Sequence, residues 1–302
     1  MEYLLSTDNL TKQYKQQKAV NNVSMHVKQG AIYGLIGRNG AGKTTLMRMI
    51  TGLASPTAGS FSLFGKNAAQ SGTVMGRVGA LVEAPGIYAD MSAWENLHAK
   101  CLALGVRDKN AEKTLLQTVG LADTGKKPAG KFSLGMKQRL GIALALVGDP
   151  DLVVLDEPIN GLDPQGIAEV RNTIERLNKE KRITFIISSH ILGELAKFAT
   201  DYGIIHGGKL LEELSMEDLV EKCSHRIILN TANTPEACTA LEKMGITRYK
   251  VTDKTIVEIY EHLNEVPELT SALCAAGIPV SGIQLKQQEL EDYFLELTGR
   301  AV

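Results

Sequence analysis

Along the first two thirds of the chain, short unbroken apolar runs alternate with stretches whose apolar residues recur every three or four positions. "AIYGLIG", "DLVVLD" and "ITFIISS" are the unbroken runs, the pattern of strands buried on both faces. "KTTLMRMITGL" and "PQGIAEVRNTIERLNKE" carry the apolar stripe of helices. At the N-terminus, "YLLSTDNLTKQY" and "AVNNVSMHV" predict short strands with polar breaks, and "GSFSLFG" predicts a further β segment. From about Ser92 to Gly148 the pattern is mostly helical, with "AWENLHAKCLALG" and "KNAEKTLLQTVG" as the leading candidates. Such alternation predicts an α/β core around a largely parallel sheet.

The texture changes after "DYGIIHGGKLLEE". Gly207 and Gly208 predict a turn, and "SMEDLVEK" a helix with Ser215 as its N-cap. From about His225 the expected order is strand "RIILNT", helix "TPEACTALEKMG", strands "TRYKVT" and "TIVEIY", helix "VPELTSALCAAG" and strand "SGIQLKQ". This β-α-β-β-α-β order predicts a small ferredoxin-like α+β domain, followed by a last helix "LEDYFLELTG". The expected boundary lies near Val220, giving domains 1–220 and 221–302.

Bulk properties narrow the functional classes. The 302 residues include 33 basic and 34 acidic ones, a net charge of -1, so no electrostatic footprint argues for a nucleic-acid partner. Cys101, Cys223, Cys238 and Cys274 stand far apart, as isolated thiols rather than a disulfide frame or a zinc site. The longest apolar runs fall well short of the roughly 20 residues that cross a bilayer. "MEYLLSTDNL" lacks the basic-then-apolar order of a secretory signal, so none is expected. Work at a membrane would therefore need a separate spanning partner.

The candidate chemistry begins in "GRNGAGKT", which fits G-x-x-x-x-G-K-[ST] between a predicted strand and a predicted helix. Small residues let successive backbone N–H groups turn inward around phosphate oxygens, and the helix N-terminus adds its dipole. Lys43 offers a mobile cation for the β- and γ-phosphates, and the Thr44 hydroxyl a ligand for Mg²⁺. "DLVVLDEP" ends a buried strand in two carboxylates: Asp156 is the expected magnesium partner, and Glu157, pointing elsewhere, a candidate to orient or deprotonate the attacking water. Together these predict a P-loop nucleoside-triphosphatase, with a kinase, GTPase or helicase still open. His190 follows the third buried run, where it can hydrogen-bond both a γ-phosphate and the catalytic water. Tyr14 precedes the loop and can stack on an adenine ring.

The order of these motifs resembles the ATP-binding subunit of ABC transporters over roughly residues 3–215. The resemblance implies an ABC-type core with an N-terminal antiparallel β region and a helical subdomain at about 85–148. It implies ATP contacts from Tyr14, Gly37, Arg38, Asn39, Gly40, Ala41, Gly42, Lys43, Thr44 and Thr45, and a signature segment at Ser133, Leu134, Gly135 and Met136. Lys43, Glu157 and His190 would be catalytic, and Asp163 in "NGLDP" would communicate across a dimer. The implied cofactor set is ATP with Mg²⁺. The implied partners are a second ATP-binding subunit and a multi-spanning permease at the cytoplasmic face of the membrane, with no nucleic acid. Glu83 in "GALVEAPGIYADMSAWENL", together with the last helix, is similar to the bacitracin-resistance and lantibiotic-immunity branch of ABC-2-type exporters.

Two positions depart from the family pattern. Glu83 stands where a glutamine usually reaches toward magnesium; it is either a metal-side acid or a solvated loop acid. "FSLGM" replaces Leu-Ser-Gly-Gly-Gln: Ser133 keeps the hydroxyl and its N-cap chemistry, and Gly135 keeps close backbone approach. Leu134 is tolerated there only if its side chain turns away from the phosphate. The expected activity is ATP hydrolysis in a head-to-tail pair that drives an exporter through the Glu83 region and the helix around Trp94. The alternative expectation is a soluble ABC-type factor acting on ribosomes or nucleic acid.

Overall fold

The computed structural model describes residues 3–67, 74–223, 225–286 and 290–299. The described chain divides into two compact units between Met216 and Glu217.

In the first unit, β1 (Tyr3–Tyr14), β2 (Gln17–Val23), β3 (His26–Lys28), β4 (Ile32–Ile36), α1 (Lys43–Ile50), β5 (Ala58–Leu63), β6 (Lys66–Asn67) and β7 (Val78–Leu81) come first. Three helices follow, α2 (Ala93–Leu104), α3 (Ala111–Thr118) and α4 (Leu134–Ala145). Then come β8 (Leu152–Leu155), α5 (Pro164–Lys181), β9 (Thr184–Ser189), α6 (Leu192–Leu195), β10 (Asp201–His206) and β11 (Lys209–Ser215). Two sheets result. An antiparallel sheet has the order β2-β1-β5-β6, with β3 also on β1. The other has the order β11-β10-β4-β9-β8-β7, parallel except for the antiparallel β10–β11 pair. Every residue of β4, β8 and β9 is buried, which is why their sequences read as continuous apolar runs rather than alternating ones.

The predicted breaks at the N-terminus resolve differently. "YLLSTDNLTKQY" is one strand, β1, whose pairings with β2 and β5 shift register near Leu10, Asp8 and Thr11, beside Asn9 at φ 48°. "AVNNVSMHV" splits instead into β2 and β3. The edge strand β7 went unforeseen, because a run of four residues gives periodicity little to work on.

α7 (Met216–Lys222) leads into the second unit: β12 (Arg226–Thr231), α8 (Thr234–Lys243), β13 (Tyr249–Asp253), β14 (Ile256–Ile259), α9 (Val266–Ala275), β15 (Val280–Lys286) and α10 (Leu290–Gly299). Its antiparallel sheet has the order β13-β14-β12-β15. Ile227, Leu229, Leu241, Val257, Ile259 and Leu273 form a core of its own. The last expected strand reaches Gln287, which lies outside the described residues.

Candidate active site

Three neighbouring parallel strands, β4, β9 and β8, end on the same edge of the sheet, and the residues just past each end converge there. This is where a parallel sheet exposes backbone groups that no further strand occupies. The loop after β4 is joined to the end of β9 by the Gly37 N–H, which donates to the Ser189 carbonyl at 3.3 Å. Its return into α1 needs left-handed backbone, φ 80° at Gly40 and 110° at Gly42. A Cβ at Gly42 would also stand 2.5 Å from the Ala19 carbonyl oxygen, so glycine is required on two counts.

Lys43, 5% exposed, turns its ammonium back into this loop. Nζ donates to the Gly37 carbonyl at 2.6 Å and the Arg38 carbonyl at 3.3 Å, and stands 3.0 Å from Glu157 Oε1. The other Glu157 oxygen, Oε2, is 2.8 Å from His190 Nδ1. Glu157 takes φ 50°, an uncommon value for a non-glycine residue, with its N–H donating to Ser188 Oγ at 2.8 Å. Glu157 lies beyond the end of β8, and its carboxylate has partners different from those of Asp156.

Asp156 is buried and both its oxygens are engaged. Thr44 Oγ1 donates to Oδ2 at 2.7 Å and Ser188 Oγ donates to Oδ1 at 2.5 Å. Ser188 therefore organises both acids: it donates to Asp156 and accepts from the Glu157 backbone. Sequence reasoning passed it over, although two serines interrupting the apolar run of β9 marked the place. Hydroxyl and carboxylate oxygens suit a hard cation such as Mg²⁺. Among the described residues no cluster of three or more His, Cys, Asp or Glu side chains is arranged to hold a metal. Thr44 and Asp156 thus fit a cation whose remaining ligands are phosphate and water.

Asn39, Gly40, Ala41, Gly42, Lys43, Thr44, Thr45 and Glu157 share one cavity of about 360 Å³ with Gln17, Lys18, Ala19, Gly207 and Gly208. Gly37 and Arg38 do not line it; their carbonyls hold Lys43. Tyr14 stands half-exposed at the end of β1, with Lys12 Nζ 5.2 Å from its ring centre. Glu83, at φ 65°, pairs with Arg48 Nη2 at 2.6 Å, one helical turn beyond Thr44 on α1, and not with Thr44 or Asp156. Arg48 was missed as its partner; nothing in the spacing of the two residues signals the contact.

Ser133 and Gly135 lie apart from this cavity. They line a second pocket of about 390 Å³ together with Leu134, Gly161, Leu162 and Asp163. Ser133 is the N-cap of α4, its Oγ accepting from the Met136 N–H at 3.3 Å. Asp163 caps α5, its Oδ1 accepting from the Gly166 N–H at 3.0 Å. The structure brings together the phosphate loop, both acids and His190; the signature segment is on a different surface of the same unit.

A glycine-turned helix N-terminus, an inward lysine and paired acids at the ends of parallel strands define a P-loop nucleoside-triphosphatase. The family model described as "ABC transporter" matches residues 20–160. The bacitracin transport ATP-binding protein BcrA of Bacillus licheniformis is 44% identical over 301 residues, 99% of this chain and 98% of that protein. The lantibiotic transport ATP-binding protein SrtF of Streptococcus pyogenes is 42% identical over 228 residues, 74% of this chain and 98% of that protein. A solved ATP-binding subunit of an ABC transporter superposes with a TM-score of 0.65 at 29% identity, covering 72% of this chain and 92% of its own. The chain belongs to the ATP-binding subunits of ABC transporters and is an ATPase. These relatives favour a transporter ATPase over a factor acting on ribosomes or nucleic acid.

Proposed function

We propose that two copies of this chain bind head to tail and enclose two ATP molecules, each between the Lys43 loop of one copy and the Ser133–Gly135 segment of the other. The observation that carries this reading is the separation of two half-sites on one unit, each with phosphate-binding chemistry and neither completed by the other. Backbone N–H groups 37–45 would cradle the phosphates, Lys43 would leave its own loop carbonyls for phosphate oxygens, and Tyr14 would stack on the base. Thr44 and Asp156 would hold Mg²⁺, which neutralises charge developing on the β- and γ-phosphates. As phosphate draws Lys43 away, Glu157 would be freed to orient water for in-line attack. His190, already hydrogen-bonded to Glu157, would steady that carboxylate and the γ-phosphate.

The pair would drive a separate membrane permease through the Glu83 loop and α2, where Tyr88, Met91 and Trp94 leave apolar surface exposed. No described helix is long and apolar enough to cross a membrane, which fits a peripheral place on the permease. The similarity to the bacitracin and lantibiotic transport proteins supports a peptide antibiotic as the exported substrate. The second unit, with its own core and no nucleotide-type motif, suits a structural or dimer-supporting role.

Replacing Glu157 with Gln tests the central claim. Hydrolysis should vanish while ATP traps the chain as a dimer on size-exclusion chromatography. Unchanged turnover would remove Glu157 from the reaction, and an ATP-loaded monomer would remove the head-to-tail pair.

A further inference from the structure

Leu134 is the most conspicuous residue of the signature segment: a large apolar side chain, half-exposed, at the first position of a helix that faces a phosphate in the proposed pair. Its orientation is informative. A Cβ built on Gly161 would stand 3.1 Å from Leu134 Cδ2, so the leucine is seated against the bare backbone of Gly161. The reverse pairing lies alongside, because a Cβ on Gly135 would meet Leu162 Cδ2 at 3.7 Å. Two leucines and two glycines therefore interlock between the start of α4 and the loop before α5. Gly161 is also at φ 72°, and so is doubly constrained to be glycine.

That loop begins at Glu157 and is tightly wound. The Asn160 N–H donates to the Glu157 carbonyl at 3.2 Å, and the Leu162 N–H to the Ile159 carbonyl at 3.3 Å. Farther along, Arg139 Nη1 on α4 pairs with Glu169 Oε2 on α5 at 3.3 Å, a second tie between the two helices. A displacement of the α4 N-terminus thus has a short packed route to the backbone of Glu157.

We infer that Leu134 is a positioning residue: seated on Gly161, it holds the segment following Glu157 in register with the N-terminus of α4. The inference rests on the role proposed above for Glu157. It turns the loss of the first signature glycine, the position Leu134 occupies, into an added contact with the backbone of Gly161.

Steady-state ATP hydrolysis by the full chain tests it, with Leu134→Ala, Leu134→Met, Gly161→Ala and the double variant Leu134→Ala/Gly161→Ala. Leu134→Ala should lower kcat about tenfold, the scale of a modest misplacement near the reacting groups, with the KM for ATP and the thermal midpoint unchanged. Leu134→Met, which keeps the volume, should stay within about twofold of the parent. Gly161→Ala should reduce kcat more in the parent than in the Leu134→Ala background, since left-handed strain is common to both and only the clash differs. Equal penalties in the two backgrounds, an unchanged kcat in Leu134→Ala, or a fall in kcat matched by a fall in thermal midpoint would each overturn the inference. Glu157→Gln separates the two failures: residual turnover there rejects the role of Glu157 itself, whereas its loss beside a normal Leu134→Ala rejects only the role of Leu134.

Discussion

Lys43 Nζ lies 3.0 Å from Glu157 Oε1, so the loop proposed to receive phosphate and the acid proposed to orient water share one ion pair. Lys43 is 5% exposed and the Glu157 side chain 20% exposed, which leaves little solvent to screen them. Because both oxygens of Glu157 are engaged, by Lys43 and by His190, its position depends on two partners that ATP would also contact. Lys43→Ala should reduce hydrolysis by about 10²- to 10³-fold, as loss of a charge-stabilising group at a transferring phosphoryl does. An ATP titration alongside the rate should show weakened binding. Retained activity would mean that backbone N–H groups suffice without the lysine.

Ser188 makes a second prediction, one that motif reading alone would not supply. Ser188→Ala removes a donor to buried Asp156 and the acceptor for the Glu157 N–H. The expected cost is about 1–3 kcal/mol of stability, the penalty for stranding buried polar groups. Urea unfolding would measure that cost, and kcat should fall as well because both acids lose their alignment.

Glu83 is bound to Arg48, not to the Thr44–Asp156 pair. Both side chains are substantially exposed, so Glu83→Gln should change stability by less than about 1 kcal/mol. The Mg²⁺ concentration giving half-maximal hydrolysis should stay within about twofold of the parent, since a water-screened acid engaged elsewhere adds little to the metal. A larger shift would assign the carboxylate to the cation site.

The start of α2 gives a prediction in pH. Ser92 Oγ accepts from the Glu95 N–H at 3.2 Å, and the Ser92 N–H donates to Glu95 Oε2 at 2.7 Å. That backbone donor, followed by the Ser92 hydroxyl, holds the Glu95 carboxyl below its ordinary value. A depressed acid stabilises the fold above its unfolded pKa and loses that contribution as pH falls through the folded one. Ser92→Ala should cost about 1 kcal/mol at neutral pH, and the gap from the parent should narrow as acidification protonates Glu95. Thermal melts of both chains from neutral to acid pH would follow it; a constant gap would deny the bond from the Ser92 hydroxyl to the Glu95 carboxylate, at 2.7 Å, any part in the cap.

The legible part of this molecule was its buried parallel sheet and the loops at the strand ends. β4, β8 and β9 are buried at every position and apolar at most of them, and that leaves a legible pattern. Gly40, Gly42, Lys43 and Asp156 were equally readable, since left-handed turns and phosphate chemistry admit few residue types. β7 and the continuity of β1 were not, because a short strand and a bulged one lack clean periodicity.

The sequence by itself determined the local chemistry: the serine that caps α4, the glycine loop proposed to cradle phosphate, and which residues carry charge. Only the tertiary structure decided the pairings, because they join segments far apart along the chain. Glu83 goes to Arg48 across 35 positions and Thr44 to Asp156 across 112. Leu134 seats on Gly161, which gives its bulk a place that no feature of "KFSLGMKQR" could announce. Spacing constrains neighbours on a helix or strand; contacts between elements depend on how the sheet stacks its strand ends, and that order is a property of the whole core.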